Sequence, residues 1–378
     1  MKTKVNYLKV IGVLLCALAT AGSSNHRSTL GFWHVLNGYA DPVQAYWQFP
    51  DYFSAHLPYL PDATLSLLAR RNISTAQYVY SLKLLQNKQG DTAKLFWHTN
   101  IQKMTMLQRN HLAEQLLINE RWDDLKFLTK HSLISNRNII NHLQLHSAAS
   151  YKLLPNSFLE QLGFASLNSL PKVKSHCLFN VLMLSDHRRG LYQLAALTKK
   201  YKQQPEPSEG VFCFSDPTYV AQAIQCGEFK KKAHCDWPSS SLKSALFTGF
   251  DFIVMMPKFG SANVHGNIMQ LNSSANYDIF LHELMHFNGF EDEYILPISK
   301  QMWLCKQSGY VAPNLFISQH NLPPDGWYKS ESCQQGGQAY KPTSEWSIMQ
   351  YQQMGLSKKY RALWKKQIET VIAKSKIE

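Results

Sequence analysis

His282, Glu283 and His286 stand in the run Tyr277 to Asn288, and their spacing suits metal chemistry. On a helix, residues i and i+4 lie one above the other, so both imidazoles can face one ion with Glu283 beside them. Neutral imidazole suits Zn²⁺, and two histidines need at least one more protein ligand, with a position left open for water. Gly289 follows three residues later and can end the helix in a left-handed turn, which brings Asp292 back within reach of the metal.

Read together, His282, Glu283, His286, Gly289 and Asp292 spell HExxHxxGxxD, and Ser347-Ile348-Met349-Gln350-Tyr351 follows downstream. Over residues 172 to 378 the chain resembles the metzincin zinc endopeptidases. Their pattern is HExxHxxGxx followed by His or Asp, with a methionine turn that reads Ser-Ile-Met-x-Tyr in astacin-like and serralysin-like members. The ending Gly-x-x-Asp-Glu-Tyr at Gly289 to Tyr294 is similar to bacterial metallopeptidases related to IgA-cleaving enzymes. It leaves Glu293 as a competitor of Asp292 for the third ligand position.

The resemblance implies one catalytic Zn²⁺ and hydrolysis of peptide bonds. Glu283 would take a proton from the attacking water and pass it to the leaving amine. Tyr351 would stabilise the oxyanion and Met349 would form an apolar floor. The segment from Gly260 to Leu271 falls where metzincins place an edge strand, to which a peptide substrate could add. Two alternatives stay open: a binding or scaffold protein with a vestigial zinc domain, and a zinc amidase acting on cell-wall peptides. An intact Glu283 argues against the first.

The elements around these residues divide the chain. Residues 1–21 carry Lys2, Lys4 and Lys9, an apolar run and Ala19-Thr20-Ala21, which is the pattern of a secretory signal peptide. Residues 22–170 form an all-α region of helical hairpins or a solenoid, without a strict repeat period. Apolar stripes such as Ala76, Val79, Leu82, Leu85 and Leu112, Ala113, Leu116, Leu117 mark its helices, and Asp91 is read as an N-cap. Residues 171–378 read as an α/β (α+β) peptidase domain. Buried strands are expected at 177–184, 211–214, 250–256 and 267–271, with a helix capped by Asp186 running through Lys202.

At 378 residues, 45% hydrophobic and 17% charged, the chain is globular rather than disordered. Without the signal, six cysteines remain, an even number in a disulfide-permitting compartment. Cys305 and Cys333 are expected to pair, and the other four allow 3 connectivities. Removing the three signal lysines from a net charge of +13 leaves +10. That field favours anionic partners, such as acidic envelope polymers. No basic run is interleaved with aromatics, so nucleic acid is not an expected partner, and no mature segment is apolar enough for a membrane span. The expected location is exported, periplasmic or secreted. Trp303, Trp327 and Trp346 lie between the motif helix and the methionine turn, where they could wall a pocket.

Overall fold

A computed structural model describes residues 41–147, 154–167, 169, 173, 176–221, 223–229, 232–236 and 248–375. The signal-peptide reading, residues 1–21, lies outside them. The chain divides into two compact units with the boundary between Ile140 and Asn141.

The first unit is helical. Short helices α1 (Pro42–Gln48) and α2 (Pro50–His56) lead into α3 (Asp62–Arg70), α4 (Ser74–Gln86), α5 (Gly90–Asn100), α6 (Met106–Ile118) and α7 (Trp122–Lys130). The breaks are tight because Asn72, Lys88, Glu120 and Ser132 each adopt positive φ just past a helix end. Leu65, Leu68, Ala76 and Phe53 pack into one cluster. A capping box, Thr105 with Gln108, starts α6. Asp91 is not the cap of α5: Gln89 holds that position, and Asp91 sits in the first turn, paired with Arg121 at 2.7 Å.

Helix α8 (Arg137–Ser147) crosses the boundary, and α9 (Asn156–Gln161) follows. The division at 140/141 differs from the 170/171 expected from the sequence for a packing reason. Leu145, Leu154, Phe158 and Phe164 join Leu191 and Tyr219 in one cluster of the second unit.

That unit is built on a mixed sheet. Its strands are β1 (Ala165–Ser166), β2 (Phe179–Ser185), β3 (Phe212–Phe214), β4 (Thr218–Tyr219), β7 (Phe252–Met256), β8 (Asn263–His265) and β9 (Ile268–Gln270). Their order is β1-β4-β2-β7-β9-β8, with β3 also paired to β2. All pairings are parallel except β8 against β9, so β8 is an antiparallel edge. Strands β2 and β7 are apolar on both faces because both faces are covered. Val181, Met183, Val254 and Met256 meet helices α10 (Arg188–Gln203), α11 (Tyr277–Phe287) and α13 (Lys358–Ser375) through Leu194, Leu284 and Trp364. Leu182, Leu184, Ile253 and Met255 face Val220, Ile224 and Cys235 instead. His187, not Asp186, holds the N-cap position of α10; the Asp186 carboxylate instead lies 2.8 Å from His187 Nδ1.

Two smaller β elements were not expected. Strands β5 (Gln225–Phe229) and β6 (Lys232–Asp236) form a hairpin, and β10 (Gly309–Ala312), β11 (Leu315–Ser318), β12 (Tyr328–Lys329) and β13 (Gln338–Lys341) form an antiparallel sheet in the order β10-β11-β13-β12. A short helix, α12 (Ile298–Leu304), precedes that sheet. Three disulfides close the unit: Cys177–Cys213, Cys226–Cys235 and Cys305–Cys333. No helix among the described residues is long and apolar enough to cross a membrane.

Candidate metal centre

Helix α11 begins at Asn276, whose side chain accepts the backbone N–H of Ile279 at 2.9 Å. It ends where Gly289, at φ +79°, reverses the chain. Gly289 N–H donates to His286 O and Phe290 N–H to Met285 O, the paired bonds of a Schellman turn, and Phe290 is buried behind it. Trp364 of α13 donates to Asn288 Oδ1 at 2.6 Å and holds the turn down.

The returning strand carries Asp292 to the two imidazoles. His282 Nε2 and His286 Nε2 are 3.1 Å apart, and Asp292 Oδ1 lies 3.3 Å from the first and 3.1 Å from the second. The other ring nitrogens are engaged: His282 Nδ1 lies 2.8 Å from Ile348 O and His286 Nδ1 2.8 Å from Phe290 O. A carbonyl can only accept, so each Nδ1 carries a proton, and either ring, when neutral, turns an Nε2 lone pair inward. Asp292 Oδ1 is buried without a hydrogen-bond partner. With both rings neutral, three acceptors converge and a cation would satisfy them together; with no cation, a proton on His286 Nε2 facing Asp292 would relieve the same crowding. Ligands about 2.0–2.1 Å from a tetrahedral ion lie roughly 3.3 Å from each other, and this triangle has that size.

Burial would raise the Asp292 carboxyl, but the two adjoining imidazoles outweigh it and hold the group below the usual carboxylate range. Burial would likewise depress His286, and Asp292 overcomes this to push it up to about 9. Glu283, only 3% exposed, is raised by burial despite both histidines. Its carboxylate lies within 4.8 Å of the ligand atoms of His282 and His286.

Glu293 is bonded away from the two imidazoles. Its carboxylate accepts from Ser347 Oγ, from Tyr360 Oη and, at 2.8 Å, from Asn314 Nδ2. Its backbone N–H donates to Met349 O at 2.9 Å. Glu293 therefore ties the loop bearing Asp292 to the methionine turn. Asn314 braces the same loop by bonding both backbone groups of Glu291, and Ser332 Oγ donates to Asp292 O. Met349 is fully buried in the core cluster that contains Leu281, Leu284 and Met285 of α11.

His282, His286 and Asp292 open into a cleft of about 690 Å³ that Asn263 and Val264 of the edge strand also line. Tyr351 does not line it. That ring packs against Trp346, centroids 5.0 Å apart, and is 36% exposed. The phenol in the cleft is Tyr294, which stands beside Asp292 within the field of Glu283; burial and the Asp292 charge push its pKa up. Trp303, Trp327 and Trp346 are not among the cleft's walls, and Trp327 instead packs with Tyr310. A second grouping, His176 with Cys177 and Cys213, offers no metal site because both thiols are in a disulfide. The sequence pointed to neither Asn314 nor Lys232, which also lines the cleft; no local motif marks either one.

No protein-family model matches this chain, and no curated protein matches it.

Proposed function

We propose that the chain is an exported zinc-dependent endopeptidase, metzincin-like in its second unit, that hydrolyses peptide bonds of protein or peptide substrates. The observation that carries this reading is the triangle of His282 Nε2, His286 Nε2 and Asp292 Oδ1, with edges of 3.1 to 3.3 Å, the size that a tetrahedral ion requires. These three would hold the zinc. When bound, zinc supplies Lewis acidity toward a carbonyl oxygen and acidifies water.

The remaining chemistry belongs to the side chains. Glu283 is buried beside the ligands with raised proton affinity, as suits a base that takes a proton from water and gives it to the departing amine. The edge β8 can receive a substrate backbone as an added strand. Tyr294, rather than Tyr351, is positioned to donate its phenol proton in a hydrogen bond to the developing oxyanion. Disulfides in a chain with a signal-like N-terminus support export to the periplasm or medium.

Purified protein should retain about one zinc per chain and cleave casein, and Glu283→Ala should keep the metal while losing activity. Murein peptides assayed in parallel separate an endopeptidase from an amidase of cell-wall peptides. Equal activity in wild type and Glu283→Ala would defeat the catalytic reading. Stable metal with no hydrolysis of either substrate would favour a binding or scaffold role.

A further inference from the structure

Resting on the peptidase reading, we propose that the β5–β6 hairpin is a specificity element whose Lys232 receives a substrate carboxylate next to the scissile bond.

The hairpin is built onto the substrate edge. Lys232 forms a parallel bridge with Ser261, just before β8 begins. Ala233 N–H donates to Ser261 O at 2.9 Å, and Asn263 Nδ2 donates to Ala233 O at 2.9 Å. Gly260 makes this approach feasible: with φ +93° and no side chain, it lets Ala233 come so close that a Cβ there would stand 2.3 Å from Ala233 N and Cα. The Cys226–Cys235 disulfide staples the hairpin's own two strands. Backbone pairing thereby anchors Lys232 in the wall of the cleft.

Charge then decides what it meets. Among the described residues Lys232 forms no ion pair, whereas the other cleft lysine, Lys300, is bonded to Glu291. Asp292 and Glu283 balance a divalent ion, so with the ion bound Lys232 leaves the cleft with one positive charge in excess. That excess attracts an anionic group into the cleft. Lys232 lines the same cleft as Asn263 and Val264, so a substrate strand added there would pass within its field. A carboxylate is the anion that peptides carry, either as an Asp or Glu side chain or as the chain terminus.

The test compares synthetic peptides that differ only by Glu against Gln near the cleaved bond, each made with a free and with an amidated C-terminus. Zinc-loaded protein should cleave the acidic member about tenfold more efficiently. Lys232→Met should bring that ratio to about one, and Lys232→Glu should reverse the preference toward Lys-bearing peptides. An advantage confined to free C-termini assigns Lys232 to the terminal carboxylate; one that survives amidation assigns it to the side chain. Fluorescence anisotropy of the same peptides on Glu283→Ala reads binding without turnover, with and without Lys232→Met. Cleavage with no preference for either carboxylate, or a preference that Lys232→Met leaves intact, overturns the proposal. If wild type cleaves nothing, the peptidase reading falls, and anisotropy alone decides whether Lys232 binds carboxylates.

Discussion

Asp292 and Glu293 are adjacent carboxylates in opposite environments, and substitution should separate them. Asp292 Oδ1 faces the two imidazoles, so Asp292→Asn should leave the fold intact and weaken zinc retention by about 100-fold or more, read by competition with a chromogenic chelator. Glu293 satisfies Ser347, Tyr360 and Asn314 at once. Glu293→Ala strands three buried donors and should cost about 3 kcal/mol in urea unfolding. The tyrosines sort the same way. Tyr294→Phe should lower kcat about 100-fold without loss of zinc, whereas Tyr351→Phe should stay near wild type. The convergence of His282, His286 and Asp292 was legible because a helix repeat and a glycine turn are local geometry, written within Asn276 to Asp292. Tyr294 in place of Tyr351, and Lys232, were not legible, because which phenol or ammonium enters the cleft depends on how distant strands are packed.

At the scale of elements, two glycines carry different loads. Gly289 needs its positive φ but has room: an added Cβ would find only Gln367 Nε2, at 4.0 Å. Gly289→Ala should therefore cost about 1–2 kcal/mol of backbone strain in urea unfolding, with the site's chemistry preserved. Gly260→Ala adds a collision with the backbone of Ala233 and should push the hairpin off the edge strand. Hydrogen exchange at residues 232–236 should accelerate, and discrimination between Glu and Gln peptides should fall with it. The core strands β2, β3, β7 and β9 were legible as short apolar runs between turn signals. The β10–β13 sheet was not: its stretch is rich in Gly, Pro and Asn and reads as loop. It becomes a sheet through the antiparallel pairing of β11 with β13 and the Cys305–Cys333 bond. Neither Asp91 nor Asp186 holds an N-cap position, and their carboxylates lie beside Arg121 and His187 instead.

The chain divides into two compact units, and every candidate ligand belongs to the second. Binding that favours the native state adds stability only to the cooperative unit that holds the site. Saturating zinc at a thousand times its Kd contributes about 4 kcal/mol to the unfolding of that unit. Chelation should remove this contribution from the region that contains α11, the Asp292 loop and the methionine turn. Hydrogen exchange measured by mass spectrometry on the intact chain can read both units together. Adding a chelator should deprotect residues 277–293 and 347–351, whose amides lie on the ligand helix and the turns bonded to it. The helices between Asp62 and Lys130 should exchange at unchanged rates, because their buried stripes satisfy one another within the first unit. Equal acceleration across both units would mean that the chain unfolds as one cooperative body. No change in either would mean that the three convergent acceptors hold no ion, and the peptidase reading would lose its foundation.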